Sequence, residues 1–197
     1  MQAFNYRSFK LAFIITVTLG ILLLLASLII GRNNFFLLAN HDLGKVADKI
    51  FVISSFSGEW INWLFLLMYV AIVIKRLDTF PLLISAFTIS TFLVRLFKDV
   101  FLPTMPRPIK AFGSRDLFHS IPTDTLHEVA SFPSGHTTAA CTVYLLLCLY
   151  LPQKWWLAIG LGYAIVVGYS RIYLAQHFPS DVAGGFLIAP LSVWLAL

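Results

Sequence analysis

Two short stretches concentrate the residues able to do chemistry. The first is Ser131-Phe132-Pro133-Ser134-Gly135-His136, and the second runs from Ser170-Arg171 through His177 to Asp181. Both lie at the margins of segments that are otherwise almost wholly apolar. Polar and ionisable groups are costly in such places, so by default they are candidates for function. A guanidinium can grip an anion through its planar fork, and an imidazole can move a proton or attack an electrophile. Taken singly, these residues have duller readings. One interfacial histidine is usually hydrogen-bonded structure, and Ser134 ahead of an apolar helix is a simple N-cap. Two histidines, an aspartate and Arg171 in these stretches, with Arg107 ahead of them, together favour catalysis.

The elements that must position them are membrane helices. Apolar residues make up 59% of the 197 residues and charged ones 12%, against about a quarter charged in a soluble domain. The apolar residues fall in blocks of helix-spanning length, so the expected fold class is all-α, a six-transmembrane-helix bundle. Spans are expected over residues 11–30, 59–74, 81–102, 135–151, 154–169 and 182–197, the last of them short. Arg7 and Lys10 before the first run suggest a signal peptide, but a run of about 20 residues without an Ala-x-Ala site favours an uncleaved helix. Trp60 and Trp63 mark one interface of the second span and Lys75-Arg76 the other. Leu43, Val46, Ile50 and Ile53 recur at helical spacing opposite Asp42, Lys45, Asp48 and Lys49. That pattern predicts an amphipathic extracytoplasmic helix, either lying on the membrane surface or packed over the bundle. With no repeat and no flexible linker, residues 1–197 read as a single integral membrane domain.

The formal charge of +5 does not indicate nucleic acid, because the basic residues are scattered between apolar blocks. They serve better as loop anchors and anion ligands, with an anionic lipid and the bilayer as the implied partners and no protein partner indicated. Cys141 and Cys148 sit two helical turns apart in one apolar segment, too far to bond to each other. Arg7, Lys10, Lys75-Arg76 and Lys154 agree on one membrane side, which positive-inside reasoning makes cytoplasmic. Lys98, Arg107, Pro133 to His136 and Ser170 to Asp181 then all fall on the opposite, extracytoplasmic side. Three loops converging at one end of a bundle can build one polar pocket.

Pro-Ser-Gly-His at residues 133–136 and Ser-Arg-x5-His-x3-Asp at residues 170–181 resemble the second and third signature motifs of the type 2 phosphatidic acid phosphatase family, in its membrane lipid phosphatase branch. The resemblance covers residues 98–181 and implies a six-helix bundle with a phosphate site at one membrane face. The first motif departs from the family pattern: six residues are expected between the lysine and Arg-Pro, whereas eight separate Lys98 from Arg107-Pro108. The two additional residues can bulge in the turn holding Pro103 and Pro106, or Lys98 can be displaced from the site.

Carried onto this sequence, the resemblance implies His177 as the nucleophile that forms a phosphohistidine and Asp181 as the residue fixing its tautomer. It implies His136 as the acid that protonates the leaving group and then the base that activates water. Lys98, Arg107, Ser134, Gly135 and Arg171 would bind the substrate phosphate. The cationic side chains neutralise the phosphate, so no metal and no cofactor is expected. Arg95 and Asp99 read as a helix-end ion pair. A zinc site among Asp116, His119, Asp124, His127 and Glu128 is disfavoured by irregular spacing. Gly160, Gly162, Gly184 and Gly185 would let helices approach closely around the site.

The expected function is an integral membrane lipid phosphatase in a bacterial cell membrane, its site on the extracytoplasmic face. The family admits phosphatidic acid, phosphatidylglycerol phosphate, polyprenyl diphosphate and lipid A phosphates as substrates. A lipid-to-lipid phosphotransferase is the enzymatic alternative. A transporter that merely binds an anionic head group is the non-enzymatic one, although the repeated halves it would call for are not visible.

Overall fold

The computed structural model describes residues 4–58, 60–75, 77–121 and 125–197; expectations resting on Glu59, Arg76, Asp124 and the Trp60 side chain lie outside the described residues. Among the described residues all regular structure is helical. In chain order the helices are α1 (Tyr6–Ile30), α2 (Arg32–Ala39), α3 (Lys45–Ser57), α4 (Trp60–Tyr69), α5 (Phe80–Arg95), α6 (Pro108–Phe112), α7 (Gly135–Tyr150), α8 (Trp156–Tyr173) and α9 (Pro179–Ala196). α4 runs on into a π-helical turn over Val70–Ile74, and α5 into another over Leu96–Phe101.

The boundaries follow local chemistry. Asn5 caps α1 by accepting the Ser8 N–H at 3.2 Å, which satisfies one of the donors a helix start leaves open. Gly31 ends α1 at φ 87°, a left-handed conformation that glycine adopts without penalty. Pro81 and Pro179 stand in the first turns of α5 and α9, where a missing N–H costs nothing.

Among the described residues, four helical stretches are long and apolar enough to cross a membrane: α1, α5 with its π-helical extension (Phe80–Phe101), α8 and α9. The remaining two expected spans correspond to shorter apolar stretches, Trp63–Val73 and α7. α7 is short and buried along nearly its whole length, as suits a helix apolar on all sides and enclosed by others.

α9 occupies the middle of the bundle, with α1, α5 and α7 packed around it, and α7 bridges α9 to α8. Glycines permit this closeness at particular points. A Cβ on Gly184 would stand 2.4 Å from the Phe132 ring, and one on Gly185 2.7 Å from Thr137 Cβ. Gly160 likewise abuts the Tyr144 ring, whereas Gly162 has nothing within 4 Å and serves no such contact. The approach at Gly184 and Gly185 brings the start of α7 against the start of α9, where the motif residues lie.

α3 forms where the periodicity places a helix, and it packs on α8. Asp48 and Phe51 face the bundle, Asp48 accepting the Tyr173 hydroxyl at 2.7 Å and the Phe51 ring meeting Tyr169 edge-on and Tyr173 at a tilt. Val46, Ile50 and Ile53 point away from the bundle and are exposed.

Candidate active site

Three polar segments converge at one end of the bundle. The π-helical turn after α5 presents Lys98, and the following turn, closed by Met105 N–H to Leu102 O at 3.2 Å, delivers Arg107 to the start of α6. The segment before α7 is tied to that turn by Arg107 N–H to Glu128 O at 2.8 Å and Ser131 N–H to Met105 O at 3.2 Å. It enters α7 through a cis Phe132–Pro133 peptide bond. Ser134 N–H then donates to the Asp181 carbonyl at 2.9 Å, which fastens the second motif to the third through backbone.

α8 ends just beyond Arg171. Gln176 N–H returns to Arg171 O at 2.9 Å and Ala175 N–H to Ile172 O at 3.0 Å, closing a Schellman turn around Ala175 at φ 53°. A non-glycine residue there costs about 1–2 kcal/mol. The turn places His177 just ahead of Phe178, the N-cap of α9. His177 therefore stands outside the helix and Asp181 at the third position inside it.

A cavity of about 480 Å³ opens among Lys98, Arg107, Gly135, His136, Arg171 and His177. Lys98 thus reaches the same cavity as Arg107 despite the longer spacing, its Nζ anchored on Ala130 O at 2.8 Å. Arg107 is nearly buried and held by three acceptors: Nε donates to Val129 O at 3.0 Å, and Nη1 to Gln176 O at 3.1 Å and Gln176 Oε1 at 3.3 Å. Arg171 Nη1 donates to Ser55 Oγ on α3. Three fixed cations on one concave surface make a site for a multiply charged anion.

Ser134 is placed differently from the expectation. It is fully buried and caps α7, accepting Thr137 N–H at 3.4 Å and Thr137 Oγ1–H at 2.9 Å. The cavity lining includes Gly135 and His136 but not Ser134. The open N–H groups of the first α7 turn lie beside the anion site. Arg95 and Asp99 pair at 3.8 Å on the exposed rim.

Behind the cavity, Asp181 is fully buried and surrounded by donors. Its Oδ2 accepts Ser131 Oγ–H at 2.5 Å, Phe178 N–H at 2.9 Å and His177 Nδ1–H at 3.4 Å. Its Oδ1 lies 3.6 Å from Arg32 Nη2. Arg32 also donates to Pro106 O at 2.9 Å and lies 3.8 Å over the Phe178 ring. With Nδ1–H committed to the carboxylate, the lone pair of the neutral ring is on Nε2. Burial, then the charges of Arg107, Lys98 and Arg171, push the His177 imidazolium well below its ordinary range, so the ring is neutral at pH 7. The neutral ring is the nucleophilic form.

Several residues around the site were not singled out by the sequence. Ser131 opens the second motif, yet nothing local marks it as a partner of Asp181. Arg32 and Ser55 reach the site only through tertiary contacts, whereas Gln176 stands next to His177 and meets Arg107. His127 lines the cavity, and burial and the same three cations push it below its ordinary range too. Among the described residues weighed for zinc, only His119 enters a cluster of possible ligands, and its neighbours there are Asp42 and Asp48, with ligand atoms within 4.8 Å of one another.

Helix bundle and site together define an integral membrane protein with a cationic, two-histidine anion site at one end of its helices. A family model for the PAP2 superfamily matches residues 80–197. The chain belongs to that family, the type 2 phosphatidic acid phosphatases. The crystal structure of Aquifex aeolicus LpxE is similar with a TM-score of 0.64 and 30% identity, over 82% of this chain and 91% of that one. An undecaprenyl-diphosphatase of Sulfolobus acidocaldarius is 29% identical over 160 residues, 81% of this chain and 74% of that protein. Phosphatidylglycerophosphatase B of Bacillus subtilis is 38% identical over 80 residues, 36% of this chain and 39% of that protein. Arg32 and Ser55 lie outside the family match, in the N-terminal part of the chain.

Proposed function

We propose that this protein is a membrane lipid phosphatase that hydrolyses a lipid phosphomonoester or diphosphate through a phosphohistidine. The observation that carries the proposal is the placement of His177, its Nδ1–H on a buried carboxylate and its ring lining a cavity with Lys98, Arg107 and Arg171. Membership of the PAP2 superfamily and the named activities of the relatives support the same reading. The proposal takes residues 1–197 as one domain of six spans, with α4 and α7 the two short ones and the site on the extracytoplasmic face of a bacterial cell membrane.

In the first step, Nε2 of His177 attacks phosphorus and the bond from phosphorus to the leaving oxygen breaks. His136 gives its proton to that oxygen, and the phosphoryl group rests on His177. Asp181 balances the positive charge that the ring acquires. In the second step, His136 takes a proton from water, whose oxygen attacks phosphorus, and the bond from nitrogen to phosphorus breaks to release inorganic phosphate. Lys98, Arg107 and Arg171 stabilise the charge on the equatorial oxygens throughout, which is the task a metal performs in other phosphatases.

The test is phosphate release from a panel of lipid phosphates in detergent with EDTA present, comparing wild type with His177→Ala. Release that survives chelation and is lost in the variant is the expected result. Release abolished by EDTA would contradict the metal-free mechanism, and undiminished release by His177→Ala would remove the nucleophile.

A further inference from the structure

We propose that Asp42, Asp48 and His119 form a zinc site that clasps the start of α3 to the end of α8. The site shares no residue with the cationic cavity, and the inference does not rest on the phosphatase reading. Asp42 stands in the turn between α2 and α3, Asp48 in the first turn of α3, and His119 in the segment between α6 and α7. One donor atom from each lies within 4.8 Å of the other two. His119 Nε2 is 3.1 Å from Asp48 Oδ1, and its Nδ1 is 3.9 Å from Asp42 Oδ1. Zinc bonds of about 2.0–2.2 Å set the donor atoms of a four-coordinate ion roughly 3.3–3.5 Å apart. Only a small closing movement is needed, and Asp42, exposed and on a turn, is the ligand able to make it.

The other two ligands are held from outside the cluster, as metal ligands are by their outer shell. Asp48 Oδ1 accepts the Tyr173 hydroxyl at 2.7 Å, and the His119 ring lies against the Tyr173 ring with centroids 4.6 Å apart. The His119 backbone is gripped on both sides by the buried Asn40 side chain, its N–H donating to Asn40 Oδ1 at 2.7 Å and its carbonyl accepting Asn40 Nδ2 at 3.1 Å. Asn40 Nδ2 also donates to Ile172 O and Tyr173 O, both at 2.9 Å, which fixes His119 to the end of α8. Phe118, next in the chain, packs on Phe36 and Phe112. Among the described residues neither carboxylate pairs with a lysine or arginine, although Lys45 and Lys49 share the helix with Asp48. Two carboxylates around one imidazole thus present a charge that a divalent cation balances. The nitrogen donor favours zinc over magnesium or calcium, which take oxygen.

The clasp bears on the cationic cavity through α3 itself. Ser55, near the other end of α3, accepts Arg171 Nη1, and Arg171 stands two residues before Tyr173 on α8. An ion at the start of α3 therefore fixes the helix that holds one of the three cations. It touches no reacting atom, so phosphate release is expected to persist when the ion is removed.

The test is isothermal titration of zinc chloride into the full chain, stripped with EDTA and exchanged into chelator-free detergent buffer. One saturable site per chain is expected, lost in His119→Gln. Tyr173→Phe, which removes only the outer-shell hydroxyl, is expected to weaken it roughly 10- to 100-fold. Asp42→Asn, at an exposed position, is expected to weaken it at least about tenfold and keeps the test open if the other variants do not fold. His41→Gln, beside the site but outside it, is expected to bind as wild type does. Hydrogen exchange over residues 42–57 is expected to slow with zinc in wild type and not in Asp42→Asn. Absence of a saturable site, or equal affinity in wild type, Asp42→Asn and His119→Gln, would overturn the proposal. Binding lost instead in His127→Gln would place the ion in the cationic cavity and overturn it too. Displacement of zinc by an equal concentration of calcium would overturn the assignment to zinc.

Discussion

Arg32 and Asp181, far apart in the chain, meet behind the cationic cavity, with Arg32 Nη2 3.6 Å from Asp181 Oδ1. The arginine is held from two further sides, by Pro106 O and by the face of Phe178. A buried carboxylate with a fixed cation on one oxygen and three donors on the other can turn only one way, toward His177 Nδ1. Arg32 does not line the cavity, so its part is to position Asp181. Arg32→Gln is therefore expected to lower kcat roughly 10- to 100-fold with KM little changed, and Arg32→Lys to restore part of the loss. Steady-state kinetics on all three proteins decide it. A rise in KM at constant kcat would instead make Arg32 a substrate ligand.

Ser131 supplies the shortest contact to the same carboxylate, 2.5 Å to Oδ2. Hydrogen bonds to charged groups contribute about 1.5–3 kcal/mol. Ser131→Ala is expected to lower kcat by roughly one to two powers of ten, and Ser131→Thr, which keeps the hydroxyl, to lower it less. Equal activity in the alanine variant would show that the remaining donors suffice.

Much of the site was legible because its chemistry sits in local spacing. Arg171, His177 and Asp181 keep their intervals across one tight turn, from the last residues of α8 to the first turn of α9, so the motif and the geometry are nearly one fact. Lys98 is subtler, since its longer spacing to Arg107 left two placements open. The π-helical turn at Leu96–Phe101 and the turn after it absorb the difference. Ser134 could be read as cap or phosphate ligand because both use one geometry at a helix start, and burial against Thr137 gives it the cap. Arg32 and Ser55 left no trace, because their roles depend on helices brought together only by folding; Gln176 stands beside His177, but its contact with Arg107 is not encoded in spacing. For α3, periodicity predicts a helix but does not say which of its positions another element covers. Asp48 and Phe51 turn inward to Tyr173, and Val46, Ile50 and Ile53 turn out.

Burial and the neighbouring cations make protonation of His177 unfavourable in the folded protein, whereas in the unfolded chain a histidine titrates near pH 6.5. Below about that pH the unfolded state binds a proton that the folded state refuses. Stability is therefore full above about pH 6.5 and declines as the pH falls toward the depressed folded value, levelling off beneath it. His177→Asn should lose stability less steeply than wild type over about pH 6.5 to 5. Thermal unfolding at a series of pH values measures both slopes, and equal slopes would contradict the depressed folded value.

Gly184 lets α9 press against the strand of chain that enters α7. A methyl group there would stand 2.4 Å from the Phe132 ring and 3.0 Å from Pro133 Cβ. Overpacking of this kind costs about 1–3 kcal/mol, and here it also shifts the segment that carries His136. Gly184→Ala is expected to lower both the unfolding temperature in detergent and kcat, whereas Gly162→Ala, facing open space, should change neither. Equal behaviour of the two variants would show that the close approach is dispensable.

The central claim is that phosphorus becomes bonded to His177 during turnover. Rapid mixing with a lipid phosphate, an alkaline quench that preserves phosphohistidine, and mass spectrometry of the peptide spanning His177 test it directly. The expected result is a phosphoryl group on His177 in wild type during turnover, absent from His177→Ala. Steady turnover with His177 never labelled, or a labelled residue elsewhere that persists in His177→Ala, would contradict it.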